Sequence, residues 1–139
     1  MCLPAAGADF PFCFLIPFSC TINRILGERS KRIAEQLTVI EASYHLQLTP
    51  EQLIEGEDDP HIRRMTTWWN KVCGWVVTVI LQQPTPKAQA RLIRKFVNIS
   101  LRLIDLRNYS TASQINSALQ HTTIDRLRGY KEVGSFPSP

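Results

Sequence analysis

Residues 59–84 read DPHIRRMTTWWNKVCGWVVTVILQQP, and this stretch predicts one long helix at the centre of the domain. Asp59-Pro60 is a typical helix start, because Pro suits the first helical position and acidic side chains favour the positive end of the helix dipole. The apolar residues then recur at steps of three and four, the period of one helical face. They are Ile62, Met65, Trp69, Val72, Val76 and Val79, with Trp68, Trp75 and Ile80 widening the face. A helix that is apolar on several sides is expected to be buried.

The segments on both sides predict further helices. The first runs from about Ser30, a plausible N-cap, to His45. Thr49-Pro50-Glu51-Gln52 is a capping box that starts a short helix, which Gly56 ends. Thr85-Pro86 starts a helix that runs to about Leu106 and ends at Arg107-Asn108, since Asn tolerates a left-handed turn. The last two predicted helices are capped by Ser110, and by Thr122 or Thr123, and end near Gln120 and Leu127.

These segments predict an all-α fold, an antiparallel multi-helix bundle with short loops. No stretch alternates apolar and polar residues for long enough to predict a strand. We divide the chain into an apolar irregular leader (residues 1–27, broken by three prolines), a helical domain (residues 28–133) and a disordered tail (residues 134–139). The leader has no basic segment before its apolar run and is too short to span a bilayer, so we expect no stable membrane insertion.

Composition narrows the classes of function. Residues 28–60 carry three basic and eight acidic side chains, whereas residues 86–133 carry nine basic and three acidic ones. The basic half could face nucleic acid, anionic lipid or an acidic protein, but no Lys/Arg run interleaved with aromatic residues favours nucleic acid. The spacing of the four cysteines does not match that of zinc ligands. We therefore interpret the chain as a reduced, intracellular protein.

The sequence shows no centre for covalent chemistry. His45, His61 and His121 are far apart and are interpreted as surface or capping residues. The six glycines are scattered, so there is no phosphate-binding loop. Glu35 and Glu41 are interpreted as members of ion pairs on the surface of the first helix, each contributing about 0.2–0.5 kcal/mol.

Six blocks follow one another along residues 29–133. They are Ile33-Ala34-Glu35-Gln36-Leu37-Thr38 with Glu41, Leu48-Thr49-Pro50-Glu51-Gln52-Leu53, Trp69-Asn70-Lys71-Val72, Leu106-Arg107-Asn108-Tyr109, Ile115-Asn116-Ser117-Ala118-Leu119-Gln120 and Ile124-Asp125-Arg126-Leu127. No single block is specific. In this order and with these gaps, they resemble the catalytic domain of Ras-type guanine nucleotide exchange factors (RasGEF).

The resemblance implies a helical regulator that binds a Ras-like small GTPase and displaces its nucleotide. Such a domain needs no cofactor and is not an enzyme of covalent chemistry. The positions that match the family's GTPase-contacting surface are Thr66, Ser113, Gln120 and Asp125. They depart in part from the Ras-specific pattern, which has Arg at the position of Thr66. Gln120 is closer to exchange factors for Ral, which favours a Ral-type partner.

The resemblance stops before the helical hairpin that opens the nucleotide site in this family. We therefore expect a truncated domain with weak or no exchange activity alone, and self-association through exposed apolar faces. We expect a cytoplasmic protein that its GTPase recruits to the membrane. The alternatives are a non-catalytic adaptor that binds a GTPase through a degenerate exchange-factor fold, and a basic helical module for nucleic acid or anionic membrane.

Overall fold

The computed structural model describes residues 18–56 and 59–127, which form helices joined by short loops and contain no strand. The helices are α1 (Phe18–Gly27), α2 (Ser30–His45), α3 (Pro50–Glu55), α4 (Pro60–Leu81), α5 (Pro86–Asp105), α6 (Tyr109–Leu119) and α7 (Thr122–Asp125). The predicted all-α fold is confirmed. The tail, residues 134–139, lies outside the described residues.

The core lies where α5 and α6 meet α2 and α4. The most extensive packing joins α6 to α4 and to α5, and α2 to α5. Helix α5 contributes a stripe of side chains with no exposed surface: Leu92, Ile93, Phe96, Ile99 and Leu103. Burying each such side chain stabilises the fold by about 1.5–3 kcal/mol. Leu106, to which this helix was predicted to run, is its C-cap residue and is 38% exposed.

Three predicted helix starts are confirmed. Thr49 Oγ1 accepts a hydrogen bond from the Gln52 backbone N–H (3.4 Å), and Gln52 Oε1 accepts one from the Thr49 N–H (2.9 Å), which completes the capping box. Asp59 accepts from the first turn of α4, and Thr85 accepts from the first turn of α5. In each case the proline that follows occupies the first helical position, as expected.

Gly56 ends α3 as predicted, but the caps predicted at four other helix ends are wrong. Arg29, not Ser30, precedes α2, and it makes no side-chain capping bond. At the end of α5 the left-handed residue is Arg107 (φ 62°), one position before the predicted Asn108. Asn108 instead caps α6, displacing Ser110 from that role, since Asn108 Oδ1 accepts from the Thr111 N–H at 3.1 Å. His121 caps α7 in place of either threonine.

The predicted irregular leader is wrong in its last part. Residues 18–27 form α1, because the prolines that argued against a helix all lie before Phe18. Ile25 is buried and belongs to the hydrophobic core, and the half-buried Ile22 and Leu26 pack against it. The Lys95 ammonium of α5 also donates a hydrogen bond to the Glu28 carbonyl just after α1. Residues 1–17 lie outside the described residues.

Candidate functional site

The four positions predicted to contact a partner are all exposed. Thr66 lies on α4, Ser113 on α6, Gln120 at the C-cap of α6 and Asp125 at the end of α7. The three helices contact one another. Ser113 and Gln120 are seven residues apart, which brings them within about 20° of each other around the helix axis. We call these four residues the candidate face.

The candidate face offers hydrogen bonds and one negative charge. The Thr66 hydroxyl donates to the Ile62 carbonyl (3.1 Å), which leaves only its acceptor capacity for a partner. Ser113 adds a hydroxyl, Gln120 an amide and Asp125 a carboxylate. Such groups can bind and orient a partner protein, but they contain no nucleophile–base pair for covalent chemistry.

A buried carboxylate joins α2, α4 and α6. Glu41 of α2 is 3% exposed. Its carboxylate accepts hydrogen bonds from Trp69 Nε1 of α4 (3.3 Å) and from the Thr111 hydroxyl of α6, and His45 Nε2 lies 3.5 Å away. We call these four residues the Glu41 cluster. It fixes α2, α4 and α6 to one another, because a buried charge is tolerated only when it is well paired.

The environment of Glu41 changes its acidity. Burial alone would raise the pKa of this carboxyl, but hydrogen bonds from Thr111, Trp69, Ser110 and Asn108 outweigh burial and leave the pKa below its ordinary value. The carboxylate is therefore the favoured form in the folded protein. This charge strengthens the bonds to α4 and α6.

Asn108 makes a second connection beside the cluster. While its Oδ1 caps α6, its Nδ2 donates to Thr38 Oγ1 of α2 at 3.2 Å. Thr38 in turn donates to the Ala34 carbonyl at 2.8 Å. The start of α6 is thus held to the middle of α2 by two side chains, and α6 carries half of the candidate face.

The interpretation of Glu41 as a surface residue is wrong. Leu37, Ile40, Glu41 and Tyr44 follow helical spacing, which places Glu41 on the core side of α2. That spacing was the available signal, although it could not name the partners. The ion pair predicted for Glu35 is confirmed, with Lys31 Nζ 3.9 Å from its carboxylate.

Comparison with known proteins decides the family. The sequence model of the RasGEF domain family matches residues 32–135, which is most of the chain. The chain belongs to the RasGEF domain family. The match covers every residue of the candidate face and of the Glu41 cluster, so both are parts of the RasGEF domain. It leaves out α1 and the first two residues of α2.

Curated relatives agree with this assignment. The RasGEF domain described here is 32% identical over 120 residues to cyclic GMP-binding protein D of Dictyostelium discoideum, covering 82% of this chain and 9% of that protein. It is 32% identical over 102 residues to human Ras guanyl-releasing protein 3, covering 69% of this chain and 15% of the relative. It is 30% identical over 110 residues to Ras guanine nucleotide exchange factor A of Dictyostelium discoideum, covering 73% of this chain and 18% of that protein. The chain spans less than a fifth of the length of these relatives.

Within residues 18–56 and 59–127, no group of three His, Cys, Asp or Glu side chains is placed to hold a metal ion. In the same part of the chain, no helix combines the length and apolar character needed to cross a bilayer.

Proposed function

We propose that this chain forms the core of a guanine nucleotide exchange factor domain that binds a Ras-type small GTPase. The match of residues 32–135 to the RasGEF domain carries the proposal. It is supported by relatives whose names describe Ras guanyl-releasing proteins and Ras guanine nucleotide exchange factors. Exchange changes no covalent bond, which fits a candidate face without a catalytic nucleophile.

A rigid binding surface explains how the domain favours the nucleotide-free GTPase over the nucleotide-loaded form. The GTPase contacts α4, α6 and α7 through the candidate face, and the Glu41 cluster holds the first two of these helices to α2. A surface with fixed geometry binds best to the one partner conformation that fits it. Tighter binding to the nucleotide-free GTPase than to the loaded form displaces the nucleotide, because a ligand shifts an equilibrium only by its differential affinity.

The proposal extends to the kind of GTPase and to the strength of exchange. Gln120, exposed at the end of α6, supports a Ral-type partner, although the relatives' names refer to Ras. Thr66 supports weak exchange by the chain alone, since a hydroxyl already bonded to its own helix replaces the charged contact that an arginine would make. In this proposal the protein is cytoplasmic and its GTPase recruits it to the membrane.

Self-association is a further part of the proposal. It is supported by large aliphatic side chains that are strongly exposed around α2 and α3: Val39 60%, Leu46 86%, Leu53 61% and Ile54 86%. Exposed apolar side chains mark protein interaction sites where they form a continuous patch. Light scattering across a concentration series tests it, and a monomer mass at every concentration would remove this part alone.

Binding and release measured together test the proposed function. The chain is tested by pull-down with nucleotide-free Ras and Ral proteins and by the release of fluorescent GDP. We expect binding, with Ral favoured, and only slow release. Binding with no release at all would make the chain an adaptor, and no binding to either protein contradicts both functions.

A matched pair of variants tests the candidate face. Thr66 and Thr78 are both exposed on α4, and each donates its hydroxyl to the carbonyl four residues earlier. They lie about 120° apart around the helix. Thr66→Glu should weaken GTPase binding about tenfold by placing a charge in the interface, whereas Thr78→Glu should leave it unchanged. Equal effects of the two substitutions would remove Thr66 from the interface.

A further inference from the structure

A basic groove lies between the end of α2 and the first half of α4. Its volume is about 270 Å³. The lining residues are Tyr44, Pro60, Arg63, Arg64, Thr67, Trp68 and Lys71. Three of them are exposed cations and none is acidic. Within the described ranges, no carboxylate forms an ion pair with Arg63, Arg64 or Lys71.

The sequence gathers these cations on one side of α4. Pro60, Arg64, Thr67 and Lys71 follow steps of four, three and four, which is one stripe along a helix. The helical rise places Arg64 and Lys71 about 10 Å apart along the axis. Arg63 lies beside this stripe, so three positive charges converge on a single concave surface.

The floor of the groove is held by the core. Tyr44 of α2 stacks on Trp68 of α4, with ring centroids 6.0 Å apart and planes 28° from parallel. Trp68 is only 2% exposed, whereas Tyr44 is half-buried and presents part of its ring to the groove. The groove therefore combines a fixed aromatic floor with a basic rim.

Most of the groove lies away from the candidate face. Each residue turns the helix by about 100°, so Thr66 lies roughly 130° around α4 from the middle of the stripe that contains Arg64 and Lys71. Arg63 lies nearer, about 60° from Thr66, because the two are three residues apart. The proposal therefore rests on Arg64 and Lys71, which lie on another side of α4 than Thr66.

We propose that this groove binds an acidic peptide segment of a second protein partner. Charge complementarity selects an anionic occupant. A peptide in the polyproline II conformation advances about 3.1 Å per residue with three residues per turn. Acidic residues three positions apart then lie on the same side of the peptide, about 9 Å apart, which is close to the separation of Arg64 and Lys71 along α4.

Two other anionic partners fit the groove less well. A membrane surface is flat, and none of the groove's lining residues is among the exposed large apolar side chains that could insert into lipid. Nucleic acid presents one charge every few ångströms over a long distance and calls for an extended basic track. Three cations around one short groove suit a peptide instead.

Fluorescence anisotropy with a labelled peptide tests the proposal without any GTPase, so its result is independent of the proposed function. The probe carries two Glu residues three positions apart, and the matched probe carries Gln at both. The groove variant is Arg64→Glu/Lys71→Glu. The control is Lys87→Glu/Arg91→Glu, at two exposed cations of α5 outside the groove. Either variant takes the formal net charge from +4 to 0, because two cations become two anions.

We expect the wild-type chain and the control to bind the Glu peptide alike, and the groove variant to bind about tenfold more weakly. Arg64→Gln/Lys71→Gln should give a smaller loss in the same direction. Circular dichroism verifies that each variant is folded, as expected for exposed positions. Equal affinity of the groove variant and the control, or of the Glu and Gln peptides, overturns the proposal.

The absence of wild-type binding at about 1 mM peptide also overturns it. Vesicles of anionic lipid and a short DNA duplex are titrated under the same conditions. Tighter binding of either through Arg64 and Lys71 assigns the groove to another class of partner and overturns the proposal as well.

Discussion

Replacing Glu41 with Gln should destabilise the fold far more than the sequence-based interpretation of Glu41 as a surface residue would suggest. The side chain keeps its size but loses its charge and one of its two acceptor oxygens. The hydroxyl of Thr111 can rotate to another acceptor, but the Trp69 N–H is fixed by its ring and shares the carboxylate with Thr111. The substitution turns one carboxylate oxygen into an amide –NH₂ group, which cannot accept a hydrogen bond. Either Trp69 or Thr111 therefore loses its acceptor on residue 41.

The magnitude follows from the bonds that are lost. A hydrogen bond to a charged group contributes about 1.5–3 kcal/mol, and an unsatisfied buried donor costs a similar amount. We expect Glu41→Gln to lower the free energy of unfolding by about 2–3 kcal/mol. That is a large fraction of the roughly 5–15 kcal/mol that stabilises a typical domain.

Urea denaturation followed by circular dichroism measures this loss, with Glu35→Gln as the matched control. Glu35 lies on the same helix, its side chain is 46% exposed, and it pairs with Lys31 at 3.9 Å. Its substitution should cost less than about 0.5 kcal/mol. A double-mutant cycle of Glu41→Gln with Thr111→Val should show a coupling energy above about 1 kcal/mol. If Glu41→Gln and Glu35→Gln cost the same, the buried cluster does not stabilise the fold.

Three further predictions concern stability. Because hydrogen bonds hold the pKa of Glu41 below 4.5 in the folded state, its contribution is complete above that pH and lost as the pH falls through the lower folded pKa. The urea midpoint of the Glu41→Gln variant should therefore change less with pH in this range than the midpoint of the wild-type chain. Asn108→Ala should cost about 1–3 kcal/mol and more than Ser110→Ala in the same assay; the reverse order would contradict the capping assignment. Arg107→Gly should raise the unfolding free energy by about 0.5–1 kcal/mol by relieving its positive φ, and a lower value would contradict this.

Local signals made much of the fold predictable. The capping box at Thr49 and the Pro60 and Pro86 starts depend on neighbours within four residues, so the sequence contains all of their determinants. The apolar face of α4 is likewise predicted from spacing alone. The true cap of α6 is Asn108 rather than Ser110, and choosing between two suitable polar residues requires knowing where the chain turns.

Long-range contacts explain what was not predicted. Glu41 receives its partners from 28 and 70 residues further along the chain, so no local pattern reveals that its charge is buried. The basic groove likewise requires Tyr44 of α2 to meet α4. The candidate face came from resemblance to a family, and its residues are exposed on three helices that contact one another.

The most direct test compares the affinity of the chain for one Ras-type GTPase in its nucleotide-free and GDP-loaded forms, by isothermal titration calorimetry. The account predicts that the nucleotide-free form binds at least about tenfold more tightly. Equal affinity for the two forms, or no binding of either by the folded chain, would contradict it.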